Sequence, residues 1–180
     1  MILKTTNSSK CIVFVHPPRS SGTSIEHCLL LGRLVPDAQK HLNARQIRET
    51  LGEEAWEDAY KFGLIRSPWE RVASWYVTEE TPYRSYNIHS GNSMMEFLSR
   101  YKSAPWEHGL QCCDYLNEEL DYIIRYEDRE AGIQEVNKHL KVFGLSIDPS
   151  VKKRANKKNQ QDLLYYDDNS LAWIAENFKG

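Results

Sequence analysis

Long hydrophobic runs are missing from this chain of 180 residues. The longest near the start, Cys11–Val15, holds five residues, against the ~20 that a membrane-spanning helix needs. It is also shorter than the ~7–15 apolar residues of a secretory leader, and it runs directly into His16-Pro17-Pro18-Arg19. With a mean hydropathy of −0.62, no membrane is expected as a partner. An excess of one charge is missing as well. Lys plus Arg number 23 and Asp plus Glu 25, a net charge of −2. No global basic field therefore gathers nucleic acid, and any anion site must be local. Cysteine is scarce: Cys11, Cys28, Cys112 and Cys113 contain no CxxC spacing, and adjacent cysteines do not readily form an ordinary disulfide or a zinc knuckle. Reduced core or near-core thiols in a cytoplasmic protein are expected, with no metal. Repeats, low-complexity tracts and Pro/Gly/Ser-rich linkers are absent, so one domain over 1–180 is expected.

What is present is an alternation of strand and helix signals. The unbroken apolar run in Lys10–His16 suits a strand buried on both faces. A small-residue turn, His16–Ser24, leads into a helical pattern over Ile25–Leu31. Asn43 with Gln46 is a capping-box signal for a helix through Thr50, ended by Gly52, and Glu53–Tyr60 reads as a further short helix. Lys61–Arg66 is a second strand. Ser67 and Pro68 then supply an N-cap and a first-turn proline, and Trp69, Val72, Ala73 and Tyr76 recur at helical spacing. Glu79–Asn92 shows no period and is expected to be a loop, followed by a helix over Ser93–Tyr101. Leu120–Tyr126 is a third strand. Gly132–Leu140 is a helix stopped at Gly144, and Ser170–Phe178 a closing helix. The order argues for an α/β, three-layer fold with a mostly parallel sheet, in which ligands sit at the carboxyl ends of the strands.

Strand, small-residue turn, helix is the order of a phosphate-binding loop. Backbone N–H groups at a helix N-terminus favour an anion. Arg19 adds a full charge, Gly22 permits close approach, and Thr23 and Ser24 carry hydroxyls. The spacing does not satisfy G-x-x-x-x-G-K-[ST], which weakens a magnesium-dependent nucleotide kinase. A capped turn without a ligand is the alternative.

Three segments carry a resemblance. Ile12-Val13-Phe14-Val15-His16-Pro17-Pro18-Arg19-Ser20-Ser21-Gly22-Thr23-Ser24 resembles the 5′-phosphosulfate loop of carbohydrate sulfotransferases of the heparan and chondroitin type, close to F-x-H-I-P-K-T-G-G-T-S. Phe62–Tyr76, with Arg66-Ser67-Pro68-Trp69-Glu70-Arg71 at its centre, resembles their 3′-phosphate motif, close to F-x-x-V-R-N-P-W-D-R-L-V-S-x-Y. Asp121–Asp128 is similar to a later strand of the family. Order and spacing match over most of the chain.

The resemblance implies a P-loop-like fold and the donor 3′-phosphoadenosine-5′-phosphosulfate (PAPS; product PAP), with no metal. It implies sulfuryl transfer by in-line displacement to a hydroxyl on a small molecule or glycan. For the donor it points to Arg19, Ser20, Ser21, Gly22, Thr23 and Ser24 at one end and Arg66 and Ser74 at the other. Arginine suits both ends because its planar fork binds phosphate oxygens bidentately. A late Asn- and Lys-bearing loop in the family implies Asn156, Lys157 and Lys158, within a basic run that otherwise reads as a solvated face. Arg19 stands where the family has Lys, and Ser20 and Ser21 replace its Thr and first Gly. Arg19 stabilises leaving charge but is a poor proton donor, so a non-catalytic PAP-binding module stands as the alternative. Among six histidines, His41 is the candidate base and, with Arg19, the expected catalytic pair. His16 is expected to organise the turn by hydrogen bonding. Tyr83, Arg84, Tyr86, His89, Trp106 and His108 either form a lid over a sugar or pack the helix beneath.

Overall fold

A computed structural model describes residues 1–4, 10–30, 40–79, 93–103, 112–151 and 166–178. In chain order the elements are β1 (Ile2–Lys4), β2 (Cys11–Val15), α1 (Gly22–Leu29), α2 (Ala44–Leu51), α3 (Glu53–Asp58), β3 (Tyr60–Ile65), α4 (Pro68–Glu79), α5 (Met94–Ser103), β4 (Tyr122–Arg125), α6 (Arg129–Leu140) and α7 (Asp168–Asn177). Short 3₁₀ turns follow β4 and α6. They fall into two compact units, one from Met1–Arg66 with Cys112–Arg154 and the other from Ser67–Gln111 with Ala155–Gly180.

The first unit is α/β, built on an open sheet of order β1-β2-β3-β4. Strands β2, β3 and β4 are parallel, with Phe14 opposite Phe62 and Leu64 opposite Ile124. Every residue of β2 is buried, as a continuous Cys-Ile-Val-Phe-Val run with neighbours on both edges requires. Alternate side chains serve opposite faces. Ile12, Phe14, Phe62, Leu64 and Ile124 pack with Ile25 and Leu29 of α1 and Ile133, Val136 and Leu140 of α6. Cys11, Val13 and Val15 pack with Ala44 and Ile47 of α2 and Trp56 of α3. Helices thus cover both faces, and full burial of each large apolar side chain is worth ~1.5–3 kcal/mol.

Several boundaries depart from the sequence reading. Strand β1 runs antiparallel beside β2, with Ile2 opposite Val13. It was not expected, because three residues are too few to show a period. Helix α1 begins at Gly22 rather than Ile25. The segment expected to stay helical through Tyr60 ends at Asp58, and Tyr60 opens β3. There the Lys61 ammonium is buried and donates to the carbonyls of Trp56 and Ala59 at 3.1 and 3.0 Å, closing the C-terminal end of α3. Asn43 does form the capping box: its side chain accepts from Gln46 N at 2.8 Å while Gln46 Oε1 accepts from Asn43 N at 2.9 Å. Gly144, in the left-handed region at φ 70°, ends the α6 segment. Of the four cysteines, all free, Cys11 is buried, Cys28 and Cys112 are half-buried, and Cys113 is exposed, which removes Cys113 from the expected near-core set.

The second unit is helical among its described residues. Val72, Trp75 and Tyr76 of α4, Met94, Phe97 and Leu98 of α5 and Ile174 of α7 form its core. Trp69, read as part of the apolar stripe, is exposed and Trp75 is buried in its stead. Ser67 Oγ accepts from Glu70 N at 3.3 Å, starting α4 as the Ser-Pro pair requires. A second capping box, Asp167 with Ser170, starts α7 two residues before the expected Ser170. The expected loop after Glu79, the segment of Trp106 and His108, and Asn156, Lys157 and Lys158 lie outside the described residues. No helix among the described residues is long and apolar enough to cross a membrane.

Candidate functional site

Parallel pairing brings the carboxyl ends of β2, β3 and β4 to one edge of the first unit, carrying His16, Arg66 and Tyr126. The turn between β2 and α1 is left-handed at two non-glycine residues, Arg19 at φ 68° and Ser21 at φ 72°. Such residues cost ~1–3 kcal/mol each and persist where the surroundings over-determine them. Ser21 is the N-cap of α1, yet its side chain makes no capping bond. Ser20 is wholly buried, its hydroxyl donating to the Pro17 carbonyl at 2.7 Å, so this hydroxyl braces the turn. Ser24 is buried in the first turn of α1, while Thr23 is half-buried.

Behind the turn lies His16, 2 % exposed. Its Nε2 stands 2.9 Å from Glu26 Oε1 and its Nδ1 3.3 Å from the Pro17 carbonyl oxygen. An ionised carboxylate only accepts, so the hydrogen bond between the two side chains runs from His16 Nε2–H to Glu26. Burial opposes charge on Glu26, but the His16 hydrogen bond and the neighbouring charges, that of Lys40 among them, outweigh it and hold the carboxyl below its ordinary range. The His16 ring stacks on Phe14 at 5.0 Å between centroids. On its other side a Cβ at position 22 would stand 2.2 Å from the ring, so only glycine fits there.

His41 reaches the same turn from the segment before α2. Its Nδ1 lies 3.3 Å from the His16 carbonyl oxygen, and the two rings meet edge to face at 4.8 Å. The carbonyl requires Nδ1–H, which leaves Nε2 as the basic nitrogen. Lys40 Nζ is 3.5 Å from Glu26 Oε2. Arg66, just past β3 and 5 % exposed, directs Nη1 toward the Arg19 carbonyl oxygen at 3.5 Å, and its guanidinium lies 4.4 Å from the centroid of Tyr126. Cys112 Sγ approaches the Arg66 carbonyl oxygen at 3.8 Å.

Of the residues expected from sequence, Arg19, Ser20, Ser21, Gly22, Thr23, Ser24, His41 and Arg66 gather around one turn of the first unit. Ser74 is buried on α4 of the second unit. Glu26 and Tyr126 belong to the cluster without having been expected in a site, and Lys40 joins it beside His41: Glu26 lies inside a helix pattern, and Tyr126 meets Arg66 only because β3 and β4 are neighbours. His139 stacks on Tyr60 at 4.7 Å, away from these residues in the sheet, at the amino end of β3. Among the described residues no group of three or more His, Cys, Asp or Glu could hold a metal ion. Fold and site define an α/β protein with arginine and histidine side chains converging at the carboxyl ends of its parallel strands. No family model, curated protein or solved structure matches the chain.

Proposed function

We propose that the protein is a sulfotransferase of P-loop-like fold that moves the sulfuryl group of PAPS to a hydroxyl, on a carbohydrate acceptor. The carrying observation is that the two arginines of the separate phosphate-type motifs meet at one turn, Arg66 Nη1 standing 3.5 Å from the carbonyl of Arg19. An anion held at the N-terminus of α1 is favoured by the helix dipole and by the free end of the amide ladder. Those features fit a phosphate-bearing ligand at this edge of the sheet.

The donor supplies an activated sulfur whose bond to the 5′-phosphate oxygen breaks as the acceptor oxygen bonds to it. His41 Nε2 takes the proton of the acceptor hydroxyl, its orientation set by the Nδ1–H donated to the His16 carbonyl. Arg19 and the first amides of α1 stabilise the charge left on the 5′-phosphate. A guanidinium keeps its proton throughout the physiological range, so Arg19 does so without giving up a proton, and the phosphate leaves as the anion. Arg66 takes the 3′-phosphate.

Calorimetry with 3′,5′-adenosine bisphosphate and with magnesium-ATP tests donor recognition. The bisphosphate is expected to bind and to be preferred; preference for magnesium-ATP refutes the reading in favour of a kinase. Transfer from labelled donor to a panel of glycans is expected for the native chain and is expected to fall ~10²–10⁴-fold in His41→Ala. A second reading, a non-catalytic PAP-binding module, is favoured by Arg19 in the position of the family's Lys. Tight bisphosphate binding with no transfer to any acceptor would select it.

A further inference from the structure

We infer that Glu26 is a positioning residue, fastening the turn after β2 to the Lys40–His41 segment so that His41 is held with Nε2 as its basic nitrogen. The inference deepens the sulfotransferase reading and rests on it for the role of His41 as base.

Glu26 projects from α1 and is 4 % exposed. Its two oxygens are divided between two different stretches of chain. Oε1 binds the His16 ring at 2.9 Å, and Oε2 faces Lys40 Nζ at 3.5 Å. His16 in turn presents the carbonyl to which His41 Nδ1 points at 3.3 Å. The carboxylate therefore grips both ends of the contact that orients His41: the residue providing the acceptor and the residue preceding the donor. A neutral amide cannot do this. Gln offers one accepting oxygen, while its NH₂ would face either a protonated ring nitrogen or an ammonium, neither of which accepts a hydrogen bond. Charge matters for a second reason. Without the carboxylate, the Lys40 ammonium beside the turn is left without its counter-charge. With one of its two arms lost, the turn that carries the His16 carbonyl is no longer fastened to the Lys40–His41 segment. The tautomer of His41, set by that carbonyl, is released with it.

The test uses ring-¹⁵N-labelled histidine in the full chain, read by two-bond nitrogen–proton correlation at neutral pH. In the native protein His16 is expected with Nε2 protonated toward Glu26, and His41 as the Nδ1–H tautomer. In Glu26→Gln, which has one accepting oxygen for the two donors, His41 is expected to become a mixture of tautomers, while Glu26→Asp, which keeps the charge, retains more of the native pattern. Lys40→Met removes only the second arm and is expected to mix the His41 tautomers with the His16–Glu26 hydrogen bond kept; it keeps the test open if Glu26→Gln does not fold. In the transfer assay Glu26→Gln is expected to lower kcat ~10- to 100-fold with KM for the donor within about twofold. An unchanged His41 tautomer in folded Glu26→Gln and in Lys40→Met overturns the inference. The spectra are read without turnover. Expected spectra with an inactive native chain therefore refute the sulfotransferase reading and leave the positioning role standing, whereas active native protein with unresponsive spectra does the reverse.

Discussion

The His16 ring occupies the space that any side chain at position 22 would need: a Cβ on Gly22 would stand 2.2 Å from His16 Cγ and Nδ1. The ring cannot retreat easily, since Glu26 holds it at 2.9 Å and Phe14 stacks on it at 5.0 Å. Gly22→Ala is therefore expected to destabilise the protein by ~1–3 kcal/mol, the usual cost of overpacking, and to weaken bisphosphate binding by displacing the first turn of α1. Thermal melting measures the first effect and calorimetry the second. A native melting temperature in Gly22→Ala would mean that the ring is not fixed.

Ser21 offers the opposite case. Its φ of 72° is left-handed and its hydroxyl makes no capping bond. Glycine adopts this conformation freely, although it loses more entropy on folding. Ser21→Gly is expected to raise stability by up to ~1 kcal/mol, and Ser21→Val to lower it by more than that. Urea denaturation midpoints decide: a lower midpoint for Ser21→Gly shows that the strain is not relieved by the substitution.

Arg66 is held by the Tyr126 ring at 4.4 Å and by the Arg19 carbonyl at 3.5 Å. Hydrogen bonds to charged groups contribute ~1.5–3 kcal/mol, so Arg66→Ala should lower bisphosphate affinity about tenfold to a hundredfold. Arg66→Lys should recover part of that by charge, without the planar fork. Tyr126→Leu should weaken binding several-fold through loss of the stacked orientation alone. Unaltered affinity in Arg66→Ala would exclude Arg66 from the 3′-phosphate.

Acid sensitivity follows from Glu26. Burial favours its neutral form, but the bond from His16 and the neighbouring positive charges prevail and hold the folded carboxyl below the ordinary 4.5. As pH falls, the unfolded chain protonates first. The stabilisation is full above about 4.5 and is lost as pH drops through the lower folded value. Melting temperatures between neutral and acid pH should fall steeply for the native chain below that point and less steeply for Glu26→Gln, which is the less stable at neutral pH. Parallel curves would remove Glu26 from the acid response.

Local chemistry made much of the fold legible. A continuous Cys-Ile-Val-Phe-Val run can be satisfied only by burial on two faces, and it forms the central strand β2. Asn43 with Gln46 and Ser67 with Pro68 each supply, within one turn, the acceptors and dihedrals that a helix start needs, and α2 and α4 begin there. The turn before α1 and the position of Arg66 after β3 are likewise readable, because a strand, small residues and a helix in succession leave the turn at the strand's carboxyl end. Strand β1 was not, since Ile2–Lys4 acquires its extended form by pairing with β2.

What the amino-acid sequence determined alone is therefore the set of elements whose cause lies within a few residues, together with the basic and hydroxyl side chains that end up at the strand edge. Tertiary structure decided the rest. Glu26 and His16 are ten residues apart, His41 meets His16 across 25, and Tyr126 reaches Arg66 only through the β3–β4 pairing. Even the direction of the His16–Glu26 hydrogen bond is a tertiary property: it follows from the carboxylate that the fold places at Nε2, and no local pattern carries that information.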